Sequence, residues 1–178
     1  MAIFSAPEPG PLYTVADAAR LIADPGDDLA HVSNQLRRFA QRGDVLTRGQ
    51  TGSGRTAGNL FALSDIAVAR IQRTVTGLGL ADAAVAQEIQ TGCYFGGPGS
   101  PENPNCHPIT AAILVARYPA EAQRLVFQLD SYVSDGQRQF QARIFDTLIH
   151  GREYHPAVVA SIRVPLATWL PRLAARLG

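Results

Sequence analysis

Gly49, Gly54, Arg55 and Thr56 fall within the stretch GQTGSGRT at the spacing of a phosphate-binding loop, with arginine where that loop requires lysine. Such a loop wraps phosphates in the backbone amides that open a helix, and its lysine neutralises them, so the chemistry demands strand, loop, then helix. Here Thr56 is followed by Ala-Gly-Asn-Leu-Phe-Ala-Leu-Ser, in which Gly58 and Asn59 are poor helix formers and the apolar residues after them read as a strand. A downstream hydrophobic strand ending in an aspartate to hold magnesium is not apparent. The stretch is better read as the tip of a hairpin. Arg48, Gln50, Thr51, Ser53, Arg55 and Thr56 would then reach DNA phosphates or the minor groove, and the glycines would let the backbone turn close to them. A solvated flexible loop is the plain alternative.

Charge is unevenly distributed around this stretch. Residues 1 to 30 hold one arginine against five acids, whereas His31 to Arg73 holds seven arginines against Asp44 and Asp65 alone, so a basic block sits beside an acidic one. All sixteen basic residues are arginine and none is lysine. A GC-rich coding sequence would account for that choice, and arginine's planar fork also suits phosphate and guanine contacts.

The basic block includes LAHVSNQLRRFAQRG, in which Leu29, Val32, Leu36 and Phe39 form an apolar stripe at helical spacing and Gly43 ends the run. In a helix laid in a major groove, Ser33, Asn34, Gln35 and Arg38 would face base edges, asparagine and glutamine suiting adenine and arginine suiting guanine. Arg37 and Arg42 would hold the phosphate backbone. An ordinary amphipathic surface helix with a solvated charged face is the competing reading.

The elements that must position these groups are legible in outline. After a proline-rich lead-in, Thr14, also a candidate DNA contact, can cap a helix with Val15, Ala18, Ala19 and Ile22 on one side. Asp24 to Asp28 breaks that helix and offers acidic caps to the next. Val45 to Thr47 and Leu60 to Leu63 read as the two strands of the hairpin. The segment SDIAVARIQRTVTGLG reads as a helix capped by Ser64 and stopped at Gly77 and Gly79, and LADAAVAQEIQ as a further short helix.

In this order the chain resembles the winged helix-turn-helix domains of the MerR and excisionase superfamily. The matching stretches are YTVADAARL, VSNQLRRF, QRGDVL, LSDIAVARI and GLGLADAAV, which cover about residues 13 to 90. The turn at Asp24 to Asp28 is longer than the usual one, Arg38 stands in place of an aromatic, and the Arg-x-Tyr signature of the wing is absent. The resemblance implies a sequence-specific DNA-binding module with a recognition helix and a basic wing, and a transcriptional regulator as the whole. A mobile-element factor for excision, recombination or DNA packaging, or a protein-interaction adaptor that has lost DNA binding, would use the same module.

The other half gives fewer chemical cues. Thr91 to Pro108 is a long glycine- and proline-rich break, expected to separate residues 13 to 90 from a domain at 109 to 178. Cys93, Cys106 and His107, with His150 or His155, offer zinc-binding donor types, but two thiolates without a Cys-x-x-Cys pair match no common zinc spacing. A persuasive Cys-His catalytic pair is also lacking, so the expectation is no metal, no cofactor and no enzyme. Helices are expected for TAAILVARYP, for AEAQRLVFQLDSYVSDG with Leu125, Val126, Leu129, Tyr132 and Val133 on one side, and for QRQFQARIFDTLIHG through Phe140, Ile144, Phe145, Leu148 and Ile149. The early alternation of the last segment also suits a strand. AVVASIRVPL reads as extended, ATWLPRLAARLG as a final short helix. A solitary strand needs a neighbour, either elsewhere in this chain or in a second subunit.

The sequence thus predicts a mainly α chain with a small β-hairpin wing and a mostly helical C-terminal domain with a short strand. Its expected partners are double-stranded DNA, a second copy of itself in a homodimer, and a protein bound through residues 109 to 178. With 46% hydrophobic residues, no apolar run of membrane-spanning length and no leader-like N-terminus, a soluble cytoplasmic protein is expected.

Overall fold

The computed structural model describes residues 10–52, 58–95, 107–147 and 158–177. The chain opens with a short strand β1, Tyr13–Thr14, whose Thr14 becomes the N-cap of α1, Val15–Ile22. Val15, Ala18, Ala19 and Ile22 are its buried side. After the Asp24 to Asp28 turn, Asp28 accepts the Ala30 amide and starts α2, Leu29–Arg42; Gly43, in the left-handed region at φ 77°, ends it.

Two strands follow, β2, Gly49–Thr51, and β3, Gly58–Phe61, lying nearer the tip than the sequence indicates. Val45, expected in a strand, is a buried residue of the connection before β2. The sheet order is β1-β3-β2, with Tyr13 opposite Phe61 and Gln50 opposite Asn59, so the hairpin is anchored by a third strand that the sequence did not disclose.

Helix α3, Leu63–Gly77, starts one residue before its expected cap Ser64. The Asp65 carboxylate reaches back to the Ala62 amide at 2.9 Å and fixes the start there. Ser64, Asp65, Ile66, Ala67, Val68, Ala69 and Ile71 are all essentially inaccessible, the pattern of a helix surrounded by protein. Helix α4, Ala83–Gln90, capped by Asp82, runs into a π-helical turn, Thr91–Phe95. Helix α5, Pro108–Val115, and the short α6, Pro119–Ala122, both begin with proline at a first-turn position.

The expectation of a mainly α chain fails in what comes next. Leu125–Ser134 is not a helix but strand β4, and Gln137–Asp146 is strand β5; they pair antiparallel from Leu125 opposite Asp146 to Ser134 opposite Gln137. The turn between them places Asp135 at φ 52° and Gly136 at φ 74°, the paired positive values of a tight hairpin turn that Asp-Gly favours. Strand β6, Val158–Pro165, pairs with the other edge of β4, which supplies the neighbour its extended pattern required. A 3-10 turn, Leu166–Thr168, leads into α7, Leu170–Ala174. The described residues therefore form a mixed α/β fold with two three-stranded antiparallel sheets, ordered β1-β3-β2 and β5-β4-β6.

The helical reading of β4 failed for a physical reason. Leu125, Phe127 and Leu129 point to the core at period two, but Gln128 and Asp130 on the opposite face are also buried, so both faces of the strand lie under cover. The core itself is continuous. One cluster of buried apolar side chains extends from Ala18 and Leu36 through Ile66 and Ile71 to Ile113, Phe127 and Leu170. No helix among the described residues is long and apolar enough to cross a membrane.

Candidate nucleic-acid interface

Helix α2 is pinned by Val32, Leu36 and Phe39, which are 0 to 4% exposed. That leaves His31, Asn34, Arg37, Arg38, Gln41 and Arg42 on its outer side, all exposed. Their numbering follows the i, i+3, i+4, i+7 repeat of one helical face. No carboxylate occurs between Leu29 and Arg42, so nothing within the helix neutralises its three arginines.

The three arginines differ in their engagements. Arg37 Nη1 donates to Asn34 Oδ1 at 2.8 Å. Arg42 Nε donates to Asp44 Oδ2 at 2.7 Å, and its guanidinium lies 5.6 Å from the centre of the Phe39 ring. Arg38 makes no hydrogen bond or ion pair among the described residues and is fully available to a ligand. The other two expected base readers are less open: Ser33 is half-buried, and Gln35, also half-buried, accepts from Arg73 Nε at 3.1 Å. Thr14 is exposed, but its hydroxyl is engaged as a cap, donating to Asp17 Oδ2 at 2.7 Å.

The acidic block beside α2 is neutralised from within. Arg70 of α3 makes paired bonds to Asp24 at 2.7 and 2.8 Å and also donates to the Ile22 carbonyl. Arg73 reaches Asp27 at 2.8 Å. Hydrogen bonding from Arg70 holds the Asp24 carboxyl below its ordinary range, and hydrogen bonding from Arg73 does the same for Asp27. The two arginines sit three residues apart on one side of α3, a spacing visible in the sequence although their partners were not.

At the hairpin, Gln50 is exposed on β2, whereas Arg48 turns inward. Its Nε and Nη2 donate to Asp65 Oδ2 and Oδ1 at 2.9 and 3.1 Å, forming a two-pronged pair with a carboxylate that is 0% exposed. The Tyr94 hydroxyl donates to the same Oδ1 at 2.7 Å. Burial pushes the Asp65 carboxyl upward while Arg48, the Ala62 amide and Tyr94 pull it down. The sequence did not single out Asp65 or Tyr94 as partners of Arg48. Ser53, Arg55 and Thr56 lie outside the described residues. Gly58–Phe61, immediately after them, is a strand paired with β2, which is not the helix that a phosphate loop needs.

Among the described residues, no group of three His, Cys, Asp or Glu side chains is placed to hold a metal. Cys93 is fully buried, and that burial raises its thiol far above the usual range, so it is chemically quiet. His107 Nδ1 lies 2.6 Å from the Tyr94 carbonyl oxygen. Cys106, His150 and His155 lie outside the described residues. Set beside known proteins, the chain matches no protein-family model and no curated protein.

Proposed function

We propose that this chain binds double-stranded DNA, with the outer side of α2 in the major groove and the β2–β3 hairpin against the adjacent backbone. The observation that carries the reading is the outer side of α2: Arg37, Arg38 and Arg42 beside Asn34 and Gln41, with no carboxylate in the helix. Phosphates are met by Arg37 and Arg42, and base edges by the unengaged Arg38 together with Asn34. The reading agrees with the winged helix-turn-helix resemblance of residues 13 to 90, and it makes the protein a cytoplasmic, non-enzymatic regulator of transcription. A homodimer would present two copies of α2 to half-sites about 34 Å apart, one helical turn of DNA.

The test is selection from a genomic fragment library across a salt series, with wild type and an Arg37→Ala, Arg38→Ala double variant in parallel. Enrichment of one discrete motif by wild type, lost by the double variant, is the expected result. Its affinity should fall steeply with salt, because each neutralised phosphate releases counterions. A folded wild-type protein that enriches nothing at low salt would sink the reading.

A further inference from the structure

We propose that Tyr94 is a positioning residue for the hairpin: through Asp65 and Arg48 it couples the second sheet to the strands β2 and β3. Four donors converge on the Asp65 carboxylate. Oδ2 accepts from Arg48 Nε and the Ala62 amide, both at 2.9 Å, and Oδ1 accepts from Arg48 Nη2 at 3.1 Å and Tyr94 Oη at 2.7 Å. The carboxylate has no access to water, so its rotamer is set by these donors alone.

Arg48 is the residue immediately before β2, and its own amide donates to the Leu60 carbonyl of β3 at 2.8 Å. Its side chain and backbone therefore fix the foot of the hairpin to the first turn of α3. The other end of the relay is equally constrained. Tyr94 belongs to the π-helical turn, and Gly92 in that turn lies so close to β5 that a Cβ there would run into the Ala142 carbonyl. The His107 ring meets the Tyr94 ring edge-on, with centroids 5.7 Å apart. A shift of β5 or of the segment entering α5 thus moves Tyr94, and the Tyr94 hydroxyl is the contact through which Asp65 and Arg48 follow.

The functional side of this inference rests on the reading of β2 and β3 as part of a DNA interface, whereas the mechanical side does not. Tyr94→Phe removes one oxygen and keeps the ring. Amide hydrogen exchange on the free protein is expected to accelerate about tenfold at Arg48 and Gly58, whose amides are held across the hairpin by the Leu60 carbonyl and the Thr51 hydroxyl, the size of one lost hydrogen bond to a charged group, while exchange within α2 stays at its wild-type rate. Val75→Ala, a core change in the last turn of α3, outside the second sheet and ten residues beyond Asp65, serves as the control for general destabilisation. Where wild type has a DNA motif, the affinity of Tyr94→Phe for it should also fall about tenfold without loss of motif preference.

Hairpin exchange that is unchanged in Tyr94→Phe, or raised no more than in Val75→Ala, overturns the coupling whatever the DNA result. Accelerated hairpin exchange in a protein that binds no DNA keeps the coupling and rejects the functional reading. Arg48→Lys, which keeps the charge but loses the two-pronged pairing, reads the same relay from its other end should Tyr94→Phe not fold. It is expected to loosen the same two amides, and failure to do so counts equally against the proposal.

Discussion

Arg48 and Asp65 are joined by two hydrogen bonds, at 2.9 and 3.1 Å, across a separation of seventeen residues, and the carboxylate is wholly buried. An arginine expected to reach for phosphate is instead a structural post. Arg48→Ala strands a buried carboxylate and should cost about 3–5 kcal/mol of stability. Arg48→Ala combined with Asp65→Ala should cost less than the sum of the two single changes, as a double-mutant cycle by urea unfolding would reveal. An Arg48→Ala protein as stable as wild type would show that the pairing does not form in solution.

Arg38 presents the opposite case. It is exposed and has no partner among the described residues, so Arg38→Ala should change stability by no more than about 0.5 kcal/mol. If Arg38 reads a guanine, the variant loses about 1–3 kcal/mol of discrimination at one position of the motif. If it holds a phosphate, affinity falls for all sequences alike and the salt slope drops by about one. Binding to an array of single-base variants at two salt concentrations separates these outcomes.

The acidic turn gives the fold a pH dependence of defined sign. Asp24 and Asp27 are depressed below 3.8, chiefly by hydrogen bonds from Arg70 and Arg73, so their contribution is present above that value and is lost as pH falls through their folded pKa. Asp65 acts in the opposite sense. Desolvation raises its carboxyl above 3.8, so the folded chain holds that proton more tightly than the unfolded one, and stability declines as pH rises through that interval. Urea unfolding followed downward in pH should show a loss below about 4 that Asp24→Asn with Asp27→Asn flattens. An unaltered acid limb in the double variant would mean that these ion pairs contribute nothing.

Gly92 is a steric requirement at the contact between the π-helical turn and β5. A side chain there would overlap the Ala142 carbonyl backbone, which cannot swing aside as a flexible side-chain end can. Gly92→Ala should therefore cost about 1–3 kcal/mol, read as a lower urea midpoint with an unchanged denaturant slope. Gly77, with nothing within 4 Å of the corresponding position, is the matched control, and Gly77→Ala should be close to neutral or slightly stabilising.

Much of the first half could be read directly from the residues. Thr14 caps α1, Asp28 caps α2, Gly43 ends α2 in the left-handed region, and Val32, Leu36 and Phe39 form the buried stripe. These signals are local: each depends on a few neighbouring residues whose spacing matches the helix repeat. The exposed set on α2 follows from the same repeat, which could also have added His31 and Gln41 to the candidates. In the second half a local signal was present but outweighed. Asp135-Gly136 between apolar runs marks a hairpin, yet the apolar residues at 125, 126, 129, 132 and 133 also fit a helical side.

By itself, then, the sequence determined the caps of α1 and α2, the end of α2 at Gly43, the extended character of β6 and the basic side of α2, since all of these arise from interactions within a few residues. Tertiary structure decided what depends on partners far along the chain. The pairing of β4 with β5 and β6 outweighed the helical pattern: side chains on both faces of β4 are buried, and its backbone groups are satisfied along both edges by the neighbouring strands. The same holds for the arginines. Arg38 is left open, Arg70 and Arg73 neutralise the acidic turn, and Arg48 is drawn inward, because a fully buried carboxylate at Asp65 requires a cation that only the folded chain can bring to it.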